Sequence, residues 1–140
     1  YLILAAVTAV AGGLFWQLLL GSLVMLIFGY MGEAGIMAAL PAFVIGMAAW
    51  LYMIYVLYMG AGATAAATTS ASVQTAYNSM LLIIVVGWAI YPLGYVFGYL
   101  MGTVDASTLN LIYNLADFIN KILFGLVIWK AAIDDNRQTA

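Results

Sequence analysis

Asp117 and Lys121 are the only charged residues between Asp105 and Lys130, and they sit near the middle of that apolar stretch. Four residues apart on a helix, they share one face. Asn110, Tyr113, Asn114 and Asn120 fall on the same face. Lipid offers such groups no hydrogen bonds, so the whole stripe is expected to look into a helix bundle. An ionisable group at mid-membrane depth costs about 2.5–3.5 kcal/mol on insertion scales. One reading is an ion pair that neutralises itself while holding helices together. Polar interhelical contacts are often worth under about 1 kcal/mol, which is a weak reason to keep two charges there. The other reading is a reactive lysine. An amine held out of water attacks a carbonyl in its neutral form and gives a Schiff base. The resulting fixed cation needs a counter-ion, and Asp117 stands one turn away.

A second group lies in Gly87-Trp88-Ala89-Ile90-Tyr91-Pro92. Trp88, Tyr91 and Tyr95 follow three-and-four spacing and share a face. Pro92 has no N–H for the carbonyl of Trp88, which predicts a bend there. Periodicity alone is satisfied by an aromatic packing stripe. The same residues also suit one wall of a slot for a long conjugated ligand, beside a proline hinge, with Trp50 as another wall. Met25 and Gly29 could bound such a pocket, although alone they read as core. Gly94, Gly98 and Gly102 form a row that permits close helix contact.

The elements that must position these groups follow from composition. Of 140 residues, 3 are basic and 5 acidic, while 68% are hydrophobic. A soluble domain of this size would carry roughly 35 charges. No charge occurs in the first 32 residues, and none between Glu33 and Asp105. The chain therefore reads as an all-α membrane protein. The apolar runs are too long and too uniformly apolar for barrel strands. Three basic residues exclude a nucleic-acid footprint. The absence of Cys and His removes thiolate and imidazole metal sites and the Cys–His and Ser–His catalytic pairs.

We expect one transmembrane domain over residues 1–140. Residues 1–10 read as the end of a helix cut through, as if an N-terminal part were missing. Full spans are expected at 14–32, 36–60, 72–102 and 108–131, with Pro41 in the first turns of the second, where proline costs least. Residues 61–71 read as a linker of small residues, with Ser70 or Ser72 as the N-cap of the next helix. Residues 103–107 read as a loop and 134–140 as a polar tail. Lys130 and Arg137, at or beyond the end of the fourth span, place the C-terminus in the cytoplasm by the positive-inside rule. Glu33 and Asp105 then face outward.

These residues resemble a known family. Asn110-Leu-Ile-Tyr-Asn-Leu-Ala-Asp-Phe-Ile-Asn-Lys121, followed by Ile-Leu-Phe-Gly, is similar to the last helix of microbial rhodopsins. Gly87-Trp-Ala-Ile-Tyr-Pro-Leu-Gly94 resembles their sixth helix, and Gly29-Tyr-Met-Gly-Glu-Ala-Gly-Ile-Met37 resembles proteorhodopsins of marine bacteria. The resemblance implies part of a seven-helix bundle around all-trans retinal. This chain would hold the end of the third helix and helices four to seven. Lys121 matches the retinal lysine, and Asp117 the second carboxylate of the counter-ion complex. Trp88, Tyr91, Pro92 and Trp50 match pocket positions, Met25 and Gly29 match contacts to the ring end, and Asn120 adjoins the lysine. Tyr91 matches a residue that hydrogen-bonds the aspartate.

The resemblance further implies a light-driven outward proton pump, not an enzyme, in the bacterial inner membrane. Its partners would be the lipid bilayer, the missing N-terminal helices and copies of itself in a pentamer or hexamer. The primary acceptor and donor carboxylates belong to the third helix and are not among these 140 residues. A sensory rhodopsin and a sodium or chloride pump therefore stay open as alternatives. A cation-coupled transporter using Asp117 and Lys121 would form no pigment with retinal.

Overall fold

The computed structural model describes residues 1–139, with side chains through Arg137. The elements are α1 (Leu2–Ala5), α2 (Gly12–Glu33), α3 (Ala39–Tyr58), α4 (Ala61–Ala66), α5 (Ala71–Leu82), α6 (Ile90–Tyr95) and α7 (Ala106–Thr139), with π-helical turns at Ile83–Gly87 and Val96–Leu100. Among the described residues, four stretches are long and apolar enough to cross a membrane: Gly12–Glu33, Ala39–Ala66, Ala71–Leu100 and Ala106–Arg137. Large apolar side chains such as Leu26, Leu40, Leu82, Leu93 and Leu111 are exposed along them. Water would not tolerate that surface, but lipid does.

The most extensive pairing is α2 against α3, and α7 packs along α5 and α6. The α2–α3 connection turns at Gly35, whose φ of 69° is a left-handed conformation that suits glycine. Pro41 occupies the first turn of α3, where a missing N–H leaves no gap in the ladder. A buried cluster including Leu4, Leu14, Val56, Leu57, Val73, Tyr77 and Leu81 joins one end of the bundle. There the Tyr77 hydroxyl donates to the Leu57 carbonyl at 2.6 Å. Leu57 lies in the last turn of α3, where carbonyls lack a helical partner. Removing this cap by Tyr77→Phe is expected to destabilise the protein by about 1–3 kcal/mol, read as a lower thermal-unfolding midpoint in detergent.

Several boundaries differ from the sequence reading. Residues 1–10 hold only one helical turn, Leu2–Ala5, not a continuous helix end. The expected linker contains α4, because its alanine-rich run carries the highest helix propensity. The expected polar tail continues α7 to Thr139, supported by the Lys130–Asp134 ion pair one turn apart, 2.6 Å. Ser70 is the N-cap of α5 and accepts from the Val73 N–H. Ser72 instead reaches Asp135 at 3.2 Å, beside Ser70 at 2.5 Å, and so ties the start of α5 to the end of α7.

Asp105 immediately precedes α7. Its carboxylate accepts from the Thr108 N–H at 3.0 Å and from the Thr108 hydroxyl at 2.6 Å. The Thr108 hydroxyl, and after it the Thr108 N–H, hold its pKa below the usual value. A depressed carboxylate stabilises the helix start above the ordinary pKa of about 3.9 and loses that effect as pH falls through the lowered one. Protection of the Thr108 amide from hydrogen exchange, relative to its intrinsic rate at each pH, is therefore expected to persist down to about pH 4 and to fall only below it. Loss of protection already near pH 6 would contradict this capping role.

Candidate functional site

The register of α7 sets Asp117 opposite Tyr91 and one turn before Lys121. The Tyr91 hydroxyl donates to Asp117 Oδ1, and Lys121 Nζ donates to Asp117 Oδ2. Both carboxylate oxygens are thus engaged, one by the neighbouring span and one by the same helix. Charge-assisted bonds of this kind are the stronger class. The Tyr113 hydroxyl donates to the Tyr91 carbonyl at 3.1 Å, and Asn120 Nδ2 donates to the Gly87 carbonyl at 3.1 Å. The Tyr91 and Tyr113 rings lie 5.5 Å apart. Three hydrogen bonds therefore stitch the last span to the third around one carboxylate.

Beside this network lies a cavity of about 850 Å³. Met25 and Gly29 of α2 line it, with Phe43, Gly46, Met47 and Trp50 of α3. Trp88, Tyr91, Pro92 and Tyr95 line it from the third span, and Tyr113, Asp117, Asn120, Lys121 and Phe124 from α7. At Gly46 α3 runs close to α2, where a Cβ would make ordinary contact with the Met25 carbonyl oxygen at 3.5 Å. The indole N–H of Trp50 is buried and has no acceptor among the described residues. The chemistry on offer is an amine at the wall of a mostly apolar cavity, with the Asp117 carboxylate beside it.

The residues read from sequence as pocket or reactive groups — Met25, Gly29, Trp50, Trp88, Tyr91, Pro92, Asp117, Asn120 and Lys121 — all line this one cavity. Asn110 and Asn114 are exposed and do not line it, so the expectation that the whole polar stripe faces a bundle interior is not met within residues 1–139. The Lys121 and Asp117 side chains are 74% and 43% exposed for the same reason: nothing in residues 1–139 covers that flank of α7. Phe43, Gly46, Met47 and Phe124 are site residues that the sequence reading does not single out. A signal for them exists, since residues 43, 46, 47 and 50 follow helical spacing on one face and Phe124 lies three residues from Lys121.

The glycine row also divides. A Cβ at Gly94 would fall 2.7 Å from the Tyr113 ring and hydroxyl, and one at Gly98 would meet Leu109, so both admit close contact with α7. Gly102 has no neighbour within 4 Å and a φ of 63°, so it ends the span rather than packing it.

The family model described as bacteriorhodopsin-like protein matches residues 1–135. The chain belongs to the bacteriorhodopsin-like family. Within it, the chain is 66% identical over 137 residues to the green-light absorbing proteorhodopsin of gamma-proteobacterium EBAC31A08, covering 97% of this chain and 55% of that protein. It is also 66% identical over 138 residues to the blue-light absorbing proteorhodopsin of gamma-proteobacterium Hot 75m4, with the same coverage. The crystal structure of blue light-absorbing proteorhodopsin from Med12 is similar with a TM-score of 0.78 and 47% identity, over 96% of this chain and 59% of that one. The chain thus spans a little over half the length of these relatives. Its fold is the all-α membrane bundle of the family, and it is a bacterial membrane protein.

Proposed function

We propose that the full-length protein bearing this segment is a light-driven outward proton pump, with all-trans retinal joined to Lys121. The observation that carries this reading is the Lys121 amine at the wall of an apolar cavity of about 850 Å³, beside the Asp117 carboxylate. The residues present fit the group. The volume lies in the usual range for small-molecule sites, about 300–1,000 Å³, and the aromatic and apolar walls suit a polyene. Lys121 would hold it covalently, Trp88, Tyr91, Pro92 and Trp50 would flank it, and Met25 and Gly29 would meet its ring end. Bound there, retinal supplies visible absorption and a light-driven change of shape.

The chain's own residues do the rest. Asp117 balances positive charge at Lys121 Nζ. Tyr91 holds Asp117 in place through its hydroxyl, and Tyr113 fixes the Tyr91 backbone. We place the acceptor and donor carboxylates on the third helix, outside residues 1–140, and further helices of the full-length protein over the exposed flank of α7 that carries Asn110, Asn114 and Lys121. Lys130 and Arg137 support a cytoplasmic C-terminus, in the inner membrane of a bacterium. Resemblance also supports a pentamer or hexamer, and the assembly moves ions without acting as an enzyme.

The test is illumination of intact cells expressing the full-length protein with added retinal. Acidification of the medium that a protonophore abolishes is the expected result. A coloured protein that leaves the external pH unchanged in light would overturn the pump reading and favour a photoreceptor or a pump for another ion.

A further inference from the structure

The Gly87 backbone carbonyl of the third span meets a side chain of the last. The π-helical turn Ile83–Gly87 closes with the Trp88 N–H on the Ile83 carbonyl, 3.0 Å. Directly after it the register tightens, and the Tyr91 N–H is engaged with the Trp88 carbonyl, three residues back, at 3.1 Å. The Gly87 carbonyl lies at this change of register. Five residues on from Gly87 stands Pro92, which has no N–H, so the wide turn cannot repeat there. Asn120 Nδ2 donates to the Gly87 carbonyl at 3.1 Å. Single π-helical turns interrupt the α ladder and are frequent at functional sites.

Steric fit points to the same contact. A Cβ at Gly87 would lie 3.1 Å from Asn120 Cγ and still nearer its Oδ1. The amide therefore rests directly on the backbone, in space that any other residue at position 87 would fill. Asn120 also adjoins Lys121, and Gly87 adjoins Trp88, and all but Gly87 line the cavity. Alongside the Tyr91–Asp117 and Tyr113–Tyr91 bonds, this hydrogen bond links the turn that carries the amine to the π-helical turn before the aromatic wall and the proline.

We propose that Asn120 is a positioning residue: through the Gly87 carbonyl it couples the Lys121 turn of the last span to the π-helical turn and proline of the third. At rest the bond holds the two spans in register, and displacement at Lys121 reaches the third span through it. The consequence for the light cycle rests on the reading of Lys121 as the retinal site, whereas the bond does not.

The experiment uses the full-length protein in lipid bilayers, as wild type, Asn120→Ala, Gly87→Ala and the double variant. Solid-state NMR compares the Gly87 carbonyl carbon of the wild type with that of Asn120→Ala before retinal is added. Flash photolysis then reads the cycle of all four proteins after loading. Asn120→Ala is expected to shift the Gly87 carbonyl resonance and to change the rate of the late photocycle phases about fivefold, the equivalent of one hydrogen bond of about 1 kcal/mol. Gly87→Ala reaches the same contact from the other side, and the double variant should add little to either. An unmoved carbonyl resonance, or late phases within twofold of wild type in both single variants, would overturn the proposal. A wild type that forms no pigment would instead defeat the Lys121 reading, and the carbonyl shift alone would then decide whether Asn120 holds the turn.

Discussion

Lys121→Ala in the full-length protein is expected to abolish the visible absorption band completely. The chain has two lysines, Lys121 and Lys130. Lys121 lines the cavity beside Asp117. Lys130 lies nine residues further along α7, exposed and paired with Asp134. An imine needs a neutral amine within bonding reach of the aldehyde, and Lys121 meets that geometry at the cavity wall. Lys121→Arg should be equally colourless, because a guanidinium keeps the charge yet stays protonated and does not add to a carbonyl. Absorption spectra after retinal addition check both variants. A band that survives Lys121→Ala would remove the residue from the site.

The second large effect is expected from Gly94→Val. Its Cβ would stand 2.7 Å from both Cε1 and the hydroxyl of Tyr113, whose own bond fixes the Tyr91 carbonyl. Tyr91 in turn donates to Asp117. One added side chain therefore pushes α7 from α6 at the point where the carboxylate is held. Overpacking of this kind costs about 1–3 kcal/mol for added carbons in a tight core. We expect a lower yield of pigment and bleaching at a lower temperature. Tyr113→Ala in the same chain opens the space again and should recover part of the loss, a non-additivity that marks direct contact. Simple addition of the two defects would contradict this account of the contact.

The site is legible in sequence to the extent that it rests on periodicity and charge. Two charges in an apolar helix announce themselves, and three-and-four spacing places Trp88, Tyr91 and Tyr95 together. Phe43 and Met47 escape such a reading because a phenylalanine and a methionine in a membrane helix carry no compositional signal of their own. Only the approach of α3 to the third span makes them walls. The boundary differences have local causes. Alanine-rich residues 61–66 lack the apolar bulk by which spans are recognised, yet they favour helix. Charges at 134 and 135 resemble a tail, although Lys130 and Ser70 hold them to helical structure. Pro92 announces a bend, but the π-helical turns on either side of it follow from how the backbone bonds are redistributed, which residue types alone do not reveal. Solvation argues that the stripe of Asn110 and Asn114 faces a bundle interior, and the flank it occupies is exposed in residues 1–139.

The most direct test of the central claim is chemical. The coloured full-length protein is treated with borohydride under light, which turns an imine into a stable secondary amine, then digested and sequenced by mass spectrometry. A retinyl group on Lys121, with Lys130 unmodified, is the predicted result. A retinyl group on any other residue, or a coloured protein that yields no adduct at all, would contradict it.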